Sequence, residues 1–539
     1  MKKIIKKLIC VMLIATFSFT AFGCTGKTGQ QGGGNPNADQ TLTIYALNRG
    51  YGIKWLEELE KMFEQENPDI NVEFKSAADV EQMANTVAAG PQSNEVDLYF
   101  MLGWTAFALR DSYANKWAGY PDGLEDLTTL FNTQIPGESL TLGEKMIPSV
   151  KEMVKDTKDG EEKYFAMPWV SGIMGLTYNH DVISKALKTE DYQLPRTTDE
   201  LYEFAVRIKE GGATPFVYPG QLDQWSRNMA YSWWAQHEGI QNYNYFFEGK
   251  AYDEATETYV EGSKKILEQQ GRLEALKVME KLLVDGLRDA TYNNYNSNDF
   301  KTLQTRYLVA EEYNTEGYKY AMYPCGDWLE NESANKYTTK NFYMMKTPVI
   351  STIIQRLSSI KGSNNPEQTL REVISYVDGE VSTAPSGVSA EDIEEVRKAR
   401  SISFSKANEH IAIIPAYSKE KDAAKKFLLF MATDRAIKVF KENVKGGFSP
   451  FNYDYSSMVS TFSNYEKSLV EMVHGNLISE AMKSAIFYRG NVKSMYLPDV
   501  FIDGAIGGTG ADRKTALWVF EEMLYTDQEW DQVLSVSGV

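Results

Sequence analysis

Cysteine is scarce: Cys10, Cys24 and Cys325 are all that 539 residues contain. The first lies inside an apolar leader and the second beside its end, so Cys325 stands alone in the body and no internal disulfide framework is available. Stability must come from apolar burial, for which 43% hydrophobic residues are sufficient. Basic charge is also short. Against 74 Asp and Glu there are 56 Lys and Arg, a formal charge of -18 with a pI near 4.9. No cationic surplus exists to displace phosphate counterions, which excludes nonspecific nucleic-acid binding. Only four histidines occur (His180, His237, His410 and His474), with no close metal-ligand spacing. G-x-S-x-G, H-E-x-x-H, G-x-x-x-x-G-K-[ST] and the EF-hand pattern are absent, so no sequence motif asks for a nucleophile, a catalytic metal or a bound nucleotide. Past the leader there is no apolar run of about 20 residues, which leaves the body without a spanning helix.

What is present begins with MKKIIKKLICVMLIATFSFTAFGC. Lysines followed by an apolar stretch from Leu8 to Gly23 predict an export signal covering residues 1–23. Ala21, Gly23 and Cys24 resemble the lipobox of bacterial lipoproteins. The resemblance implies that Cys24 is lipidated and anchors the chain on the outer face of the cell membrane. An ordinary secreted chain with an incidental Cys24 is the alternative. Residues 24–40, rich in Gly, Gln and Asn, read as a flexible tether. The chain from Thr41 onward is long enough for two large domains.

TLTIYAL (41–47) alternates as a strand, and Trp55, Leu56, Leu59, Met62 and Phe63 fall at helical spacing before Asn67-Pro68. INVEF (70–74), an amphipathic segment from Asp79 to Ala89, and EVDLYFM (95–101) continue the alternation. Strand, helix, strand, helix, strand with short joins predicts an α/β unit on a largely parallel sheet. YFAMP (164–168), GIMGLTYN (172–179), TPFVYPG (214–220) and HIAIIP (410–415) read as further strands. Thr197 is placed to cap the helix of TTDELYEFAVRIKEGG, with Glu200 available for a capping box and Gly211 at its end. Residues 380–405 read as a surface insertion, and 418–440 as one long helix or a helix pair. No internal repeat is apparent.

The order of these segments resembles the extracellular solute-binding proteins of ABC transporters, in the family 1 group that binds carbohydrates. The matching pieces include TLTIYALNRGYGIKWLEELEKMFEQENPDINVEF, YFAMPWVSGIMGLTYNHDVI, YKYAMYPCGDWL and AYSKEKDAAKKFLLFMATDRAIKVFKENVKGGFSP. The resemblance implies a two-lobed α/β fold with a hinge and an inter-lobe cleft. Residues 41–165 and 350–440 would form one lobe, 170–345 and 445–539 the other. It further implies a monomer without cofactor or catalysis, which captures a carbohydrate and hands it to membrane permease subunits. A tethered glycan sensor without import is a second reading, and a secreted glycoside hydrolase a third. For that third reading, carboxylate pairs carry no weight, since 74 acidic residues make chance pairs inevitable. This chain is longer than many relatives and carries Tyr/Asn-rich stretches at 242–259 and 291–300.

A pyranose presents C–H faces to aromatic planes and a rim of hydroxyls to short polar side chains. Asn48, Arg49 and Tyr51 occupy the turn after the first strand, where an α/β sheet presents ligand contacts; a plain solvated loop is the other reading. Trp104 follows EVDLYFM and suits either a cleft or core packing. Trp169 lies at the passage between lobes and is expected to be exposed, with GIMGLTYN as core and Asn179 capping the next helix. Asp223, Trp225 and Arg227 cluster after TPFVYPG, while Trp233 and Trp234 are expected to pack their helix. GDWLE resembles the family's Gly-x-Trp element, whose Trp stacks on sugar. That resemblance makes Trp328 the leading candidate, with Asp327 beside it as an acceptor. Phe448 comes after Gly446-Gly447 in a turn that either reaches the cleft or merely breaks a helix. Cys325 reads as a small buried hydrophobe.

Overall fold

The structure, a computed structural model, describes residues 38–539 except 159, 219–223, 284–285, 289–299, 491–505, 507–512 and 525–529. The signal, Cys24 and nearly all of the tether lie outside the described residues, as does most of the second Tyr/Asn-rich stretch.

Two sheets organise the chain. The first has the order Ile70–Ala77, Gln40–Leu47, Leu98–Leu102, His410–Ile413, Met167–Pro168. Its first three strands run parallel, as the strand–helix alternation requires, and its last two pairings are antiparallel. Six consecutive positions from Leu42 to Leu47 are buried, the mark of a strand covered on both faces. Helix Lys54–Glu66 buries Trp55, Leu56, Leu59 and Phe63 and packs on helix Asp434–Asn443. Asp79 caps the helix Val80–Ala88 by accepting the Glu81 and Gln82 N–H groups. The 418–440 stretch is a helix pair, Lys421–Met431 and Asp434–Asn443, divided at Thr433, whose side chain caps the second.

The second sheet has the order Asn476–Ile478, Ile402–Ser405, Ile173–Asn179, Tyr320–Gly326, Thr214–Phe216, and Phe342–Met345 also pairs with Ile173–Asn179. Asn179 ends its strand and caps the helix His180–Leu187 by accepting the Val182 N–H. Thr197 caps Thr198–Glu210, and Gly211 ends it. The capping box does not close on Thr197: Glu200 takes the Arg196 backbone N–H and guanidinium, each at 2.8 Å, because the stronger cationic donor stands one residue earlier. Helix Gln224–Glu238 crosses this sheet with Trp233 and Trp234 fully buried. Cys325 is buried within its strand.

The 380–405 stretch is not surface throughout. Its loop and much of its helix Ala390–Arg400 are exposed, but Ile402–Ser405 is a wholly buried strand of the second sheet, because its two neighbours cover it. The chain after residue 350 therefore serves both sheets: Ile402–Ser405 joins the second and His410–Ile413 the first.

Among the described residues three passages connect the sheets: 169–172, 406–409, and the long return that leaves helix Asp434–Asn443. Ser171, buried, knits them together. Its N–H donates to the Phe448 carbonyl oxygen at 2.8 Å, its hydroxyl to that of Ser449 at 2.9 Å, and its own carbonyl accepts the Ser405 hydroxyl at 2.6 Å. The third passage is braced by the buried ion pair Lys441–Glu466. No helix among the described residues is long and apolar enough to cross a membrane.

Gly446, in the third passage, has φ +82°, and a Cβ there would lie 1.9 Å from the Asp327 carbonyl oxygen. Both the left-handed backbone and the contact with main chain forbid a side chain. Gly446→Ala is expected to lower unfolding free energy by roughly 2–4 kcal/mol, measurable by denaturant titration; a variant within experimental error of the parent would show that the passage can relax.

Candidate functional site

The end of strand Gln40–Leu47 and the end of strand Tyr320–Gly326 come from different sheets and meet. The turn after the first carries Gly50, Tyr51 and Gly52; the second runs directly into Asp327 and Trp328. Asp327 has 0% exposure. Its Oδ1 accepts the Tyr51 hydroxyl at 2.5 Å and its Oδ2 the Ile173 N–H at 3.1 Å. Asn331 adds a second tie, donating from Nδ2 to the Gly50 carbonyl oxygen at 2.7 Å.

Rings surround this contact. Tyr51 meets Trp328 edge-on at 6.1 Å, Trp169 at 5.5 Å and His410 at 5.4 Å between centroids. Trp328 touches Trp225 at 5.6 Å, and Trp225 touches Phe300 and Tyr323. Trp225 remains half-buried and Trp328 is 8% exposed, so the cluster reaches the surface on the Trp225 side.

Among the sequence candidates, Tyr51, Trp169, Trp225, Asp327 and Trp328 are thus brought together. Trp169 is 5% exposed rather than open, because its indole stacks on Trp55 at 5.2 Å and 15°. Its Nε1 has no hydrogen-bond partner among the described residues. Asn48 and Arg49 are exposed on the turn beside the cluster, and the Arg49 charge acts on Glu332. Trp104 is half-buried between strand Leu98–Leu102 and helix Ala106–Tyr113, outside the ring cluster. Arg227 acts on Glu480 and Tyr231, further along its helix. Asp223 lies outside the described residues. Phe448 corrects its expectation: at 0% exposure it packs edge-on against Tyr455 at 5.0 Å beneath Lys441, so its backbone serves the passage while its ring serves the core.

The sequence reading missed His410. It opens the strand HIAIIP, whose apolar run points to the core, yet its ring contacts Tyr51, Trp169 and Trp328. Its Nδ1 faces the Lys406 carbonyl oxygen at 2.8 Å. A carbonyl only accepts, so the neutral ring carries its proton on Nδ1. Burial pushes its pKa down to about 4. Asn331 and Glu332, which come after GDWL, were also missed, although their proximity to Trp328 in sequence was the available signal.

Burial pushes the Asp327 carboxyl up to about 7, against the opposing pull of the Tyr51 hydroxyl, the Ile173 N–H and the Lys441 charge. The arrangement offers ring edges and faces, one strong acceptor and neutral imidazole. Among the described residues no group of three or more His, Cys, Asp or Glu is placed to hold a metal. Two open cavities of about 390 and 270 Å³ lie elsewhere and share Ser149 and Asn476 in their walls. Neither is lined by the ring cluster.

A family profile described as bacterial extracellular solute-binding protein matches residues 48–341, more than half of the chain. The chain belongs to that family. The matched span begins in the turn that carries Tyr51 and includes Trp169, Trp225, Asp327 and Trp328. The family's description is that of a solute-binding protein. The diacetylchitobiose binding protein NgcE of Streptomyces coelicolor (strain ATCC BAA-471 / A3(2) / M145) is 24% identical over 331 residues, 60% of this chain and 61% of that relative, so the match spans less than two thirds of the relative's length. Among solved structures, a chitin oligosaccharide binding protein superposes with TM-score 0.56 at 15% identity, covering 91% of this chain and 99% of that one. Maltose-bound T. maritima MalE3 gives 0.53 at 16%, covering 92% and 100%. These likenesses show the two-lobed periplasmic-binding-protein fold.

The raised carboxyl has a stability consequence. With a folded pKa near 7 against about 3.9 unfolded, native Asp327 holds a proton that the unfolded chain releases. That contribution is complete below about pH 4 and is lost as pH rises through 7. His410 works in the opposite sense, weakening the fold as pH falls from 6.5 towards 4, and is common to parent and variant. Asp327→Asn is therefore expected to gain stability relative to the parent by roughly 3–4 kcal/mol between pH 4 and 7.5, read as the difference between two denaturation series. A pH-independent difference would mean that the carboxyl titrates normally.

Proposed function

We propose that this solute-binding protein captures a carbohydrate, an oligosaccharide, between its two sheets and delivers it to the permease subunits of an ABC importer. The observation that carries the reading is the meeting of Tyr51 and Trp169 from the first-sheet side with Trp225, Trp328 and Asp327 from the second, around one buried acceptor. Aromatic faces suit the C–H surfaces of a pyranose, and a carboxylate suits its hydroxyls. The names of the relatives support the class: one binds diacetylchitobiose, another chitin oligosaccharide, and a third holds maltose.

In this reading Trp328 and Trp225 are the stacking surfaces and Asp327 the central acceptor, with Asn48, Arg49, Trp104 and Arg227 around the rim. The lobes correspond to the two sheets and turn on the passages at 169–172, 406–409 and 444–449. Ligand favours the closed arrangement because both lobes touch it only there. Lipidation at Cys24 keeps a monomeric protein at the outer face of the membrane, where a captured solute meets the permease.

A thermal-shift screen followed by calorimetry tests this with malto-, cello- and N-acetylchito-oligosaccharides. At least one series should raise the melting temperature by several degrees at saturating concentration. Trp328→Ala should weaken that ligand's binding roughly 10- to 100-fold. A panel in which no sugar shifts the transition would remove the carbohydrate reading.

A further inference from the structure

Asp327 has no exposure, and Tyr51 is what covers its Oδ1. A ligand hydroxyl that takes the acceptor site now used by the phenol has to displace it. The phenol is itself a ring bearing a hydroxyl, held edge-on to Trp328 at 6.1 Å while it donates to Asp327 at 2.5 Å. Ring contact and hydroxyl donation are the two things a pyranose would bring to the same pair.

Two glycines shape the turn that presents Tyr51. Gly50 at φ +42° and Gly52 at φ +66° flank it, both in the left-handed region that glycine enters without steric cost. The turn follows a strand of the first sheet and Asp327 a strand of the second, so the hydrogen bond spans the two. A buried carboxylate cannot be left without donors. Tyr51 thereby protects Asp327 whenever no other hydroxyl does.

We propose that Tyr51 is a resident competitor for the ligand's place at Asp327: it sets the affinity of the site and selects ligands that present a hydroxyl able to take over its hydrogen bond. The inference rests on the reading of Trp328 and Asp327 as the sugar site. It gives Tyr51 a role opposite to that of a simple ligand contact, whose removal weakens binding.

Calorimetry with the tightest-binding member of the malto-, cello- and N-acetylchito-oligosaccharide panel decides between them. Tyr51→Phe keeps the ring and removes the competing hydroxyl, and it is expected to bind on the order of tenfold more tightly. In an Asp327→Asn background the same change should gain much less, since the carboxyl for which the two compete is replaced by a weaker amide acceptor. A purely structural Tyr51 would lower the melting temperature without tightening binding. Unchanged or weaker binding by Tyr51→Phe, with the parent binding normally, overturns this inference and leaves the carbohydrate reading standing. A parent that binds no sugar of the panel overturns both.

Discussion

A carboxylate removed completely from water must be hydrogen-bonded, and Asp327 satisfies that demand with groups from both sides of the inter-sheet junction. Ile173, at the start of a second-sheet strand, supplies one donor. Tyr51, on the turn after a first-sheet strand, supplies another. The cost of burying the acid thus becomes a force that draws the two sheets together at one point, and the tryptophans gather round that point because their apolar faces exclude the water that would otherwise relax it.

In the proposed reading the same junction has to permit movement. Its backbone connections run through small side chains: Ser171, Ser405 and Ser449 exchange hydrogen bonds with main-chain groups across three separate passages. Bonds of this kind hold a passage in register without filling the space around it. Rigidity is placed alongside, in the buried Lys441–Glu466 pair and in the anchoring of Lys406 between Glu409 and Glu480. In the proposed reading these passages, tied by serine hydroxyls and flanked by ion pairs, are where the lobes turn.

Much of the fold is legible in residue patterns. The parallel start of the first sheet comes from the strand–helix alternation, and the caps at Asn179 and Thr197 come from local side-chain chemistry that operates within three residues. Trp225, a candidate from its place after TPFVYPG, and Trp328, a candidate from the family resemblance, lie some hundred residues apart in sequence and do touch. The errors share one cause. Residue pattern leaves Trp169 open and lets Phe448 reach the cleft, whereas Trp55 covers the first, and Tyr455 and Lys441 enclose the second. Exposure is a property of neighbours, and those neighbours are set by the packing of the whole molecule rather than by the residue's own type.

The sequence by itself determined the class of molecule: an acidic α/β chain without an internal disulfide framework, whose order of helices and strands resembles that of a solute-binding protein, with a generous supply of aromatic residues. Periodicity and capping are local, so they can be read without the fold. Only the tertiary structure decided that His410 joins the ring cluster, that Ile402–Ser405 and His410–Ile413 part company between two sheets, and that the Asp327 acceptor is already engaged by Tyr51. Each of these depends on which distant segments are brought within a few ångströms, and contact at that range is settled by packing the whole chain at once.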